Sequence, residues 1–197
     1  MSYTIIPLKE LIEEIGEEAT EAILSNFTCP SNTDVEYFLR KKAILFSRQG
    51  LSMTHLIFAS YNNKNSLIAY FTLAPKTISL DGEKLSNKMR TRIKRFSPRK
   101  NNTYTIPSIL IAQIGKNFTD ELDKLIVGDD LMGLALDTVH LAQSIIGGKI
   151  TFLECEDVKK LKSFYERNGF ILAGKRLLDG DETDIRESYL LQYIRWL

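Results

Sequence analysis

Hydrophobic and polar positions alternate between two periods along the chain. A strand is predicted at Tyr3 to Ile6, then one or two acidic helices over Leu8 to Leu24. Asn32 or Thr33 can cap a second helical segment, in which Val35, Phe38, Leu39, Lys42 and Phe46 recur at helical spacing up to Gly50. The period then changes to two. Thr54 to Ser60 and Ser66 to Leu73 flank the polar turn Asn62-Asn63-Lys64-Asn65, a hairpin signal, and Lys76 to Leu80 reads as a further strand closed by Asp81-Gly82.

A basic helix is predicted over Lys84 to Phe96, followed by the apolar run Ile106 to Ile114, which suits a buried central strand with Pro107 at its entry. The helix from Asp129 places Leu131, Leu134, Ala135, Thr138, Ala142, Ile145 and Ile146 on one face and stops at Gly147-Gly148. Lys149 to Leu153 reads as a strand, Val158 to Asn168 as a helix ended by Gly169, and Phe170 to Lys175 as another strand. The turn Leu178-Asp179-Gly180-Asp181 then leads to a last strand, Arg186 to Trp196. This order predicts a mixed α/β sheet with helices on both faces.

The 197 residues suit one domain spanning 1–197. With 26 basic and 25 acidic side chains the net charge is +1, which excludes a nucleic-acid coat protein. The charge is uneven, however. Lys84 to Lys100 holds eight cations and no acidic residue, leaving −7 on the rest of the chain. Such a segment is either a solvated helix face or an attractor of a polyanion. No apolar run is long enough to span a membrane, and the start of the chain lacks a secretory signal. Cys29 and Cys155 are too few for a disulfide framework, so a cytoplasmic location is expected. His55 and His140 stand apart on different elements, and no metal is expected.

Phe164-Tyr165-Glu166-Arg167-Asn168-Gly169-Phe170 resembles the FYxxxGF segment of the GNAT acetyltransferases, which move an acetyl group from acetyl-CoA to an amine. Phe27-Thr28-Cys29, the run Val35-Glu36-Tyr37-Phe38-Leu39 with Ala43, and Ala69-Tyr70-Phe71-Thr72-Leu73-Ala74 are similar to the GNAT branch that serves as toxins in toxin-antitoxin pairs and acetylates aminoacyl-tRNA. The resemblance implies a GNAT-like central sheet, mixed and mostly antiparallel, with helices on both faces and a splayed CoA-binding strand. It implies Tyr165 as the catalytic donor to the thiolate leaving group. Acetyl-CoA is the implied co-substrate, held by the backbone of Ile111, Ala112 and Ile114. The expected partners are tRNA, an antitoxin protein and a second copy in a homodimer, with no membrane.

The family's pyrophosphate loop, Q/R-x-x-G-x-G/A, is matched imperfectly by Gln113-Ile114-Gly115-Lys116-Asn117 and, after an acidic insertion, Val127-Gly128-Asp129-Asp130-Leu131-Met132-Gly133. Lys116, Asn117, Gly128 and Asp129 are the expected cofactor-binding positions, with Lys124 as an alternative cation. Two aspartates where an anion should dock leave open that CoA binding is weak or lost. Arg90, Arg92, Lys94 and Arg95 are the expected RNA-binding positions. Glu154-Cys155-Glu156-Asp157 offers a carboxylate base or, more simply, a strand end with Asp157 capping the next helix. Cys155 reads as a small apolar residue. Acetylation of a small amine or a protein N-terminus, and a catalytically inert GNAT that binds RNA or protein, are the alternative functions.

Overall fold

The computed structural model describes residues 3–178 and 188–197. They form two compact units, Met1–Ala74 with Ile111–Thr138, and Pro75–Leu110 with Val139–Leu197. The strands are β1 (Thr4–Pro7), β2 (Met53–Tyr61), β3 (Lys64–Asp81), β4 (Arg99–Lys100), β5 (Thr103–Lys116), β6 (Ile150–Cys155), β7 (Ile171–Leu177) and β8 (Tyr189–Trp196). Their order is β1-β2-β3-β5-β6-β8-β7, with β4 beside β5. β5 and β6 are parallel, whereas β1 with β2, β2 with β3, β4 with β5, β6 with β8 and β7 with β8 are antiparallel.

In the first unit two helices, α1 (Leu8–Ile15) and α2 (Glu17–Ser25), are separated by Gly16, whose φ of 84° lies in the left-handed region open to glycine. Asn32 caps α3 (Thr33–Tyr37) by accepting from the N–H groups of Asp34 and Val35. A π-helical turn, Phe38–Lys42, then leads into α4 (Ala43–Arg48). The extra residue of that turn displaces the apolar stripe by one position, so Lys42 is exposed and Ala43 is buried in its place. Leu8, Leu24, Phe27, Leu39, Leu56 and Tyr70 form the core of this unit.

In the second unit α5 (Asn87–Ile93) is shorter than the predicted basic helix. Ser86 starts it by accepting from Met89 N–H at 3.3 Å. Met89 and Ile93 of α5 and the preceding Leu85 pack with Ile78, Leu80, Tyr104 and Ile106. α7 (Lys159–Arg167) lies between β6 and β7 in sequence.

Four predictions need correction. The expected Lys76 to Leu80 strand is the far end of β3, which continues unbroken for 18 residues. β5 starts at Thr103, so Pro107 stands inside the strand, at an exposed position of an alternating pattern that makes β5 less buried than expected. α6 (Gly128–Ile146) buries Leu131, Met132, Ala135, Leu136 and Val139, while Ile145 and Ile146 are 74% and 70% exposed. Asp157 does not cap α7, as described below. The predicted turn 178–181 and the start of the last strand at Arg186 fall largely outside the described residues. Among the described residues no helix is long and apolar enough to cross a membrane.

Candidate functional site

Tyr165 sits near the C-terminal end of α7 in the second unit. The turn that follows it is fixed by its own backbone: Gly169 N–H donates to Glu166 O at 3.0 Å and Phe170 N–H to Tyr165 O at 3.0 Å, with Gly169 at φ 81°. A side chain at Gly169 would also run into the Arg195 guanidinium. The turn brings Phe170 back against Tyr165, with ring centroids 6.2 Å apart, and Tyr193 of β8 stands 6.1 Å from the same ring. Tyr165 is 8% exposed. Burial, with a smaller contribution from the neighbouring Cys155, raises its phenol pKa well above the usual 10. The phenol therefore keeps its proton at neutral pH and is a donor.

The carboxylates of Glu154 and Asp157, at the end of β6 and before α7, are engaged. Glu154 accepts from Arg176 Nε at 2.7 Å and from Gln192 Nε2 at 3.0 Å. Asp157 pairs with Lys162 Nζ at 2.6 Å and accepts from the Tyr189 hydroxyl at 3.0 Å. These bonds hold its carboxyl below the usual range and occupy it elsewhere, and Val158 stands at the N-cap of α7 with no side-chain cap. Tyr193 donates to Glu166 at 3.2 Å, and burial together with that carboxylate pushes its pKa up to about 12. Cys155 is buried, and desolvation, then the charges of Asp157 and Glu156, push its thiol to about 12. It is a neutral, small side chain and a poor nucleophile at pH 7.

In the same unit β5 and β6 pair through two positions, Ile109↔Thr151 and Leu110↔Phe152, and Thr151 Oγ1 donates to Ile109 O at 2.8 Å. β5 nevertheless runs on to Lys116. Ile111, Ala112 and Ile114 thus lie past the end of that ladder, with Ile111 buried and the other two half-buried.

All of the expected cofactor positions, Ile111, Ala112 and Ile114 included, belong to the first unit. Gln113 donates to Asp34 at 3.0 Å. Gly115 passes so close to Val35 that a Cβ would collide with its Cγ1. Lys116 is half-buried, and its ammonium donates to Asp123 O at 2.8 Å and Ile126 O at 3.3 Å, bridging a 3-10 segment, Thr119–Leu125. Within that segment Asp120 and Glu121 adopt φ of 50° and 63°. Lys124 is exposed and pairs with Glu121.

Asn117 corrects the sequence-based expectation. It is 2% exposed, its Oδ1 accepts from Thr28 N–H at 3.0 Å and Thr119 N–H at 3.1 Å, and its Nδ2 donates to Leu67 O at 2.8 Å. Its own N–H donates to Ile68 O at 2.7 Å. The residue ties β5 to two other segments, and its burial keeps its side chain from a ligand. Gly128 opens α6, half-buried, and Asp129 and Asp130 in the first turn are exposed.

The four expected RNA-binding cations are not equivalent. Arg90 is half-buried and donates to Gly82 O at 3.3 Å and to Asn87. Lys94 and Arg95 are exposed beyond the end of α5. Arg92 is exposed with its guanidinium 4.0 Å over the Trp196 ring, which Phe96 meets edge-on at 6.2 Å. That aromatic group went unseen in the sequence, because Trp196 lies on β8, about a hundred residues away. His55, the other isolated candidate, stacks on Phe71 at 4.8 Å, and burial lowers its pKa and keeps it neutral.

No protein-family profile matches the chain, and no curated protein matches it. Solved structures do. A crystal structure of a tyrosine-to-phenylalanine mutant of KacT is 19% identical, with 98% of this chain and 95% of that one covered at a TM-score of 0.65. AtaT complexed with acetyl-methionyl-tRNAfMet is 19% identical, covering 96% and 94% at 0.62. A mutant AtaT toxin bound to acetyl-CoA and the C-terminus of the antitoxin AtaR is 16% identical, covering 100% and 94% at 0.59. The chain thus has the mixed α/β, mostly antiparallel fold of these GNAT-type toxins.

Proposed function

We propose that the protein is an N-acetyltransferase that moves the acetyl group of acetyl-CoA to the α-amine of an aminoacyl-tRNA. The observation that carries this reading is Tyr165, a protonated phenol held in a buried aromatic setting within the Phe164 to Phe170 segment. The likeness to a toxin complexed with acetylated methionyl-tRNA supports the choice of acceptor. The likeness to a toxin bound to an antitoxin C-terminus supports an antitoxin as partner.

The amine attacks the thioester carbonyl directly, forming the C–N bond as the C–S bond breaks. Tyr165 donates to the departing sulfur, and the amine loses its proton to solvent. Ile111, Ala112 and Ile114, past the end of the β5 ladder with β6, offer main-chain groups to the pantetheine arm, as a strand edge does to any extended ligand. Lys116 and the amides around Gly128 are the groups for the pyrophosphate. Glu154 and Asp157 are occupied by ion pairs, so an already neutral amine is the easier acceptor. A lysine with pKa about 10.4 is about 0.04% neutral at pH 7, whereas an α-amine near 7.7–8.0 is roughly 10–20% neutral.

Two exposed carboxylates in the first turn of α6 favour a second reading, a chain that keeps the fold and binds RNA or protein without catalysis. The test is incubation with labelled acetyl-CoA and a mixture of aminoacyl-tRNAs. Transfer of label to the aminoacyl group, with a micromolar calorimetric Kd for acetyl-CoA, is the expected result. Absence of heat and of transfer at millimolar acetyl-CoA leaves the non-catalytic reading. Transfer to small amines or peptide N-termini but to no aminoacyl-tRNA overturns the choice of acceptor.

A further inference from the structure

Eight cations with no acidic residue between Lys84 and Lys100 account for attraction to a phosphate backbone. They do not account for the aromatic group beside them. Arg92 stands exposed with its guanidinium 4.0 Å over Trp196, and Phe96, 37% exposed, meets the same indole edge-on. An isolated surface arginine samples many rotamers, whereas one held over an indole presents its outer plane in one place. Lys88, four residues before Arg92, shares its helix face, and Lys94 and Arg95 follow directly. The exposed Phe96 ring, a half-buried indole under a held guanidinium plane, and flanking cations are the combination that retains single-stranded nucleic acid: cations track the phosphates while planar groups stack the bases. An acidic protein segment would use the cations and leave the planes idle.

We propose that Arg92, Trp196 and Phe96 form a stacking platform for an unpaired nucleobase of an RNA strand, with Lys88, Lys94 and Arg95 on its phosphates. The proposal deepens the aminoacyl-tRNA reading and rests on it for the identity of the RNA. It gives Arg92 a task distinct from that of its neighbours: Lys88, Lys94 and Arg95 supply charge, and Arg92 supplies a plane.

The test compares three labelled probes on the full chain: a single-stranded cytidine 12-mer RNA, an abasic ribose-phosphate 12-mer of equal charge, and a polyglutamate peptide. The RNA is expected to bind about tenfold more tightly than the abasic strand, with the same salt dependence. Emission from Trp196, the chain's single tryptophan, should change with the RNA and stay constant with the abasic strand. Arg92→Lys keeps the charge and should abolish the tenfold preference while leaving abasic binding unchanged. Phe96→Ala should reduce the preference without changing the salt slope. Equal affinity for RNA and abasic strand overturns the platform, as does tighter binding of polyglutamate than of RNA. If the parent protein acetylates aminoacyl-tRNA but shows no base preference, the platform fails and the acetylation reading stands. A base preference without acetylation of any aminoacyl-tRNA fails the acetylation reading and leaves the platform in place.

Discussion

The chain leaves α7 and leaves β5 in opposite ways. After α7 it turns on local bonds, from Asn168 N–H to Phe164 O at 3.3 Å through Phe170 N–H to Tyr165 O at 3.0 Å, and seven consecutive residues contain nearly everything the turn needs. After β5 it is held by remote partners: Asn117 reaches Thr28 and Leu67, and Lys116 reaches forward to Asp123 and Ile126. The first turn buries a phenol and a thiol among rings. The second leaves half-buried main chain and a bridging cation. A site whose chemistry rides on side chains is thus written compactly, and one that works through main-chain groups is spread over the fold.

The sharpest probe of that difference is the dryness of the α7 side. In a Cys29→Ser background, Cys155 should react with a thiol reagent at pH 8 at least about 100-fold more slowly in the native protein than in urea. Its thiol ionises near 12 when folded, and near the ordinary 9 when not. Comparable rates in both states would show that the aromatic group around Tyr165 is wet. Next, Tyr165→Phe keeps the ring contacts and removes the donor. Turnover should fall about 100-fold, equivalent to about 2.7 kcal/mol, with acetyl-CoA affinity unchanged. Unchanged turnover would reduce Tyr165 to packing.

On the β5 side the expected losses are in stability. Asn117→Ala strands the Thr28 N–H and the Leu67 carbonyl, both previously paired, and should cost about 2 kcal/mol, or roughly 4–8 °C in Tm. A Tm within a degree of the parent would mean that the junction is not held by that amide. The smallest effect belongs to Asn32→Ala, which removes a local cap serving Asp34 and Val35 and should cost about 1 kcal/mol by urea unfolding.

The same division governs what could be read from the sequence. The cap at Asn32, the polar turn that begins at Asn62-Asn63 and the stop at Gly169 are local signals, and all are found in the structure. Tyr165 was legible because its neighbours in sequence are its neighbours in space. The burial of Asn117 was not, since three of its partners lie 50 or more residues away or in a loop without periodicity. Nor was the joining of Lys76 to Leu80 into β3, because polar and apolar residues can follow one another in a strand without a break in pairing. On α6 an ideal helical stripe extended to Ile145 and Ile146, but a stripe is buried only as far as something covers it.

The π turn at Phe38–Lys42 bears on the chain's tolerance of length change. A π turn is a helix with one residue more than its ladder of i to i−4 bonds can hold. A deletion in a regular helix rotates everything after it by about 100°, which would turn Phe46 away from Phe38, its edge-to-face partner at 5.5 Å. Removing one residue from the π turn instead restores an ordinary helix and leaves Val35 before it, and Ala43 and Ser47 after it, facing the same way. A variant of this chain lacking one residue there should therefore keep the same core, whereas the same deletion one turn further along α4 should not.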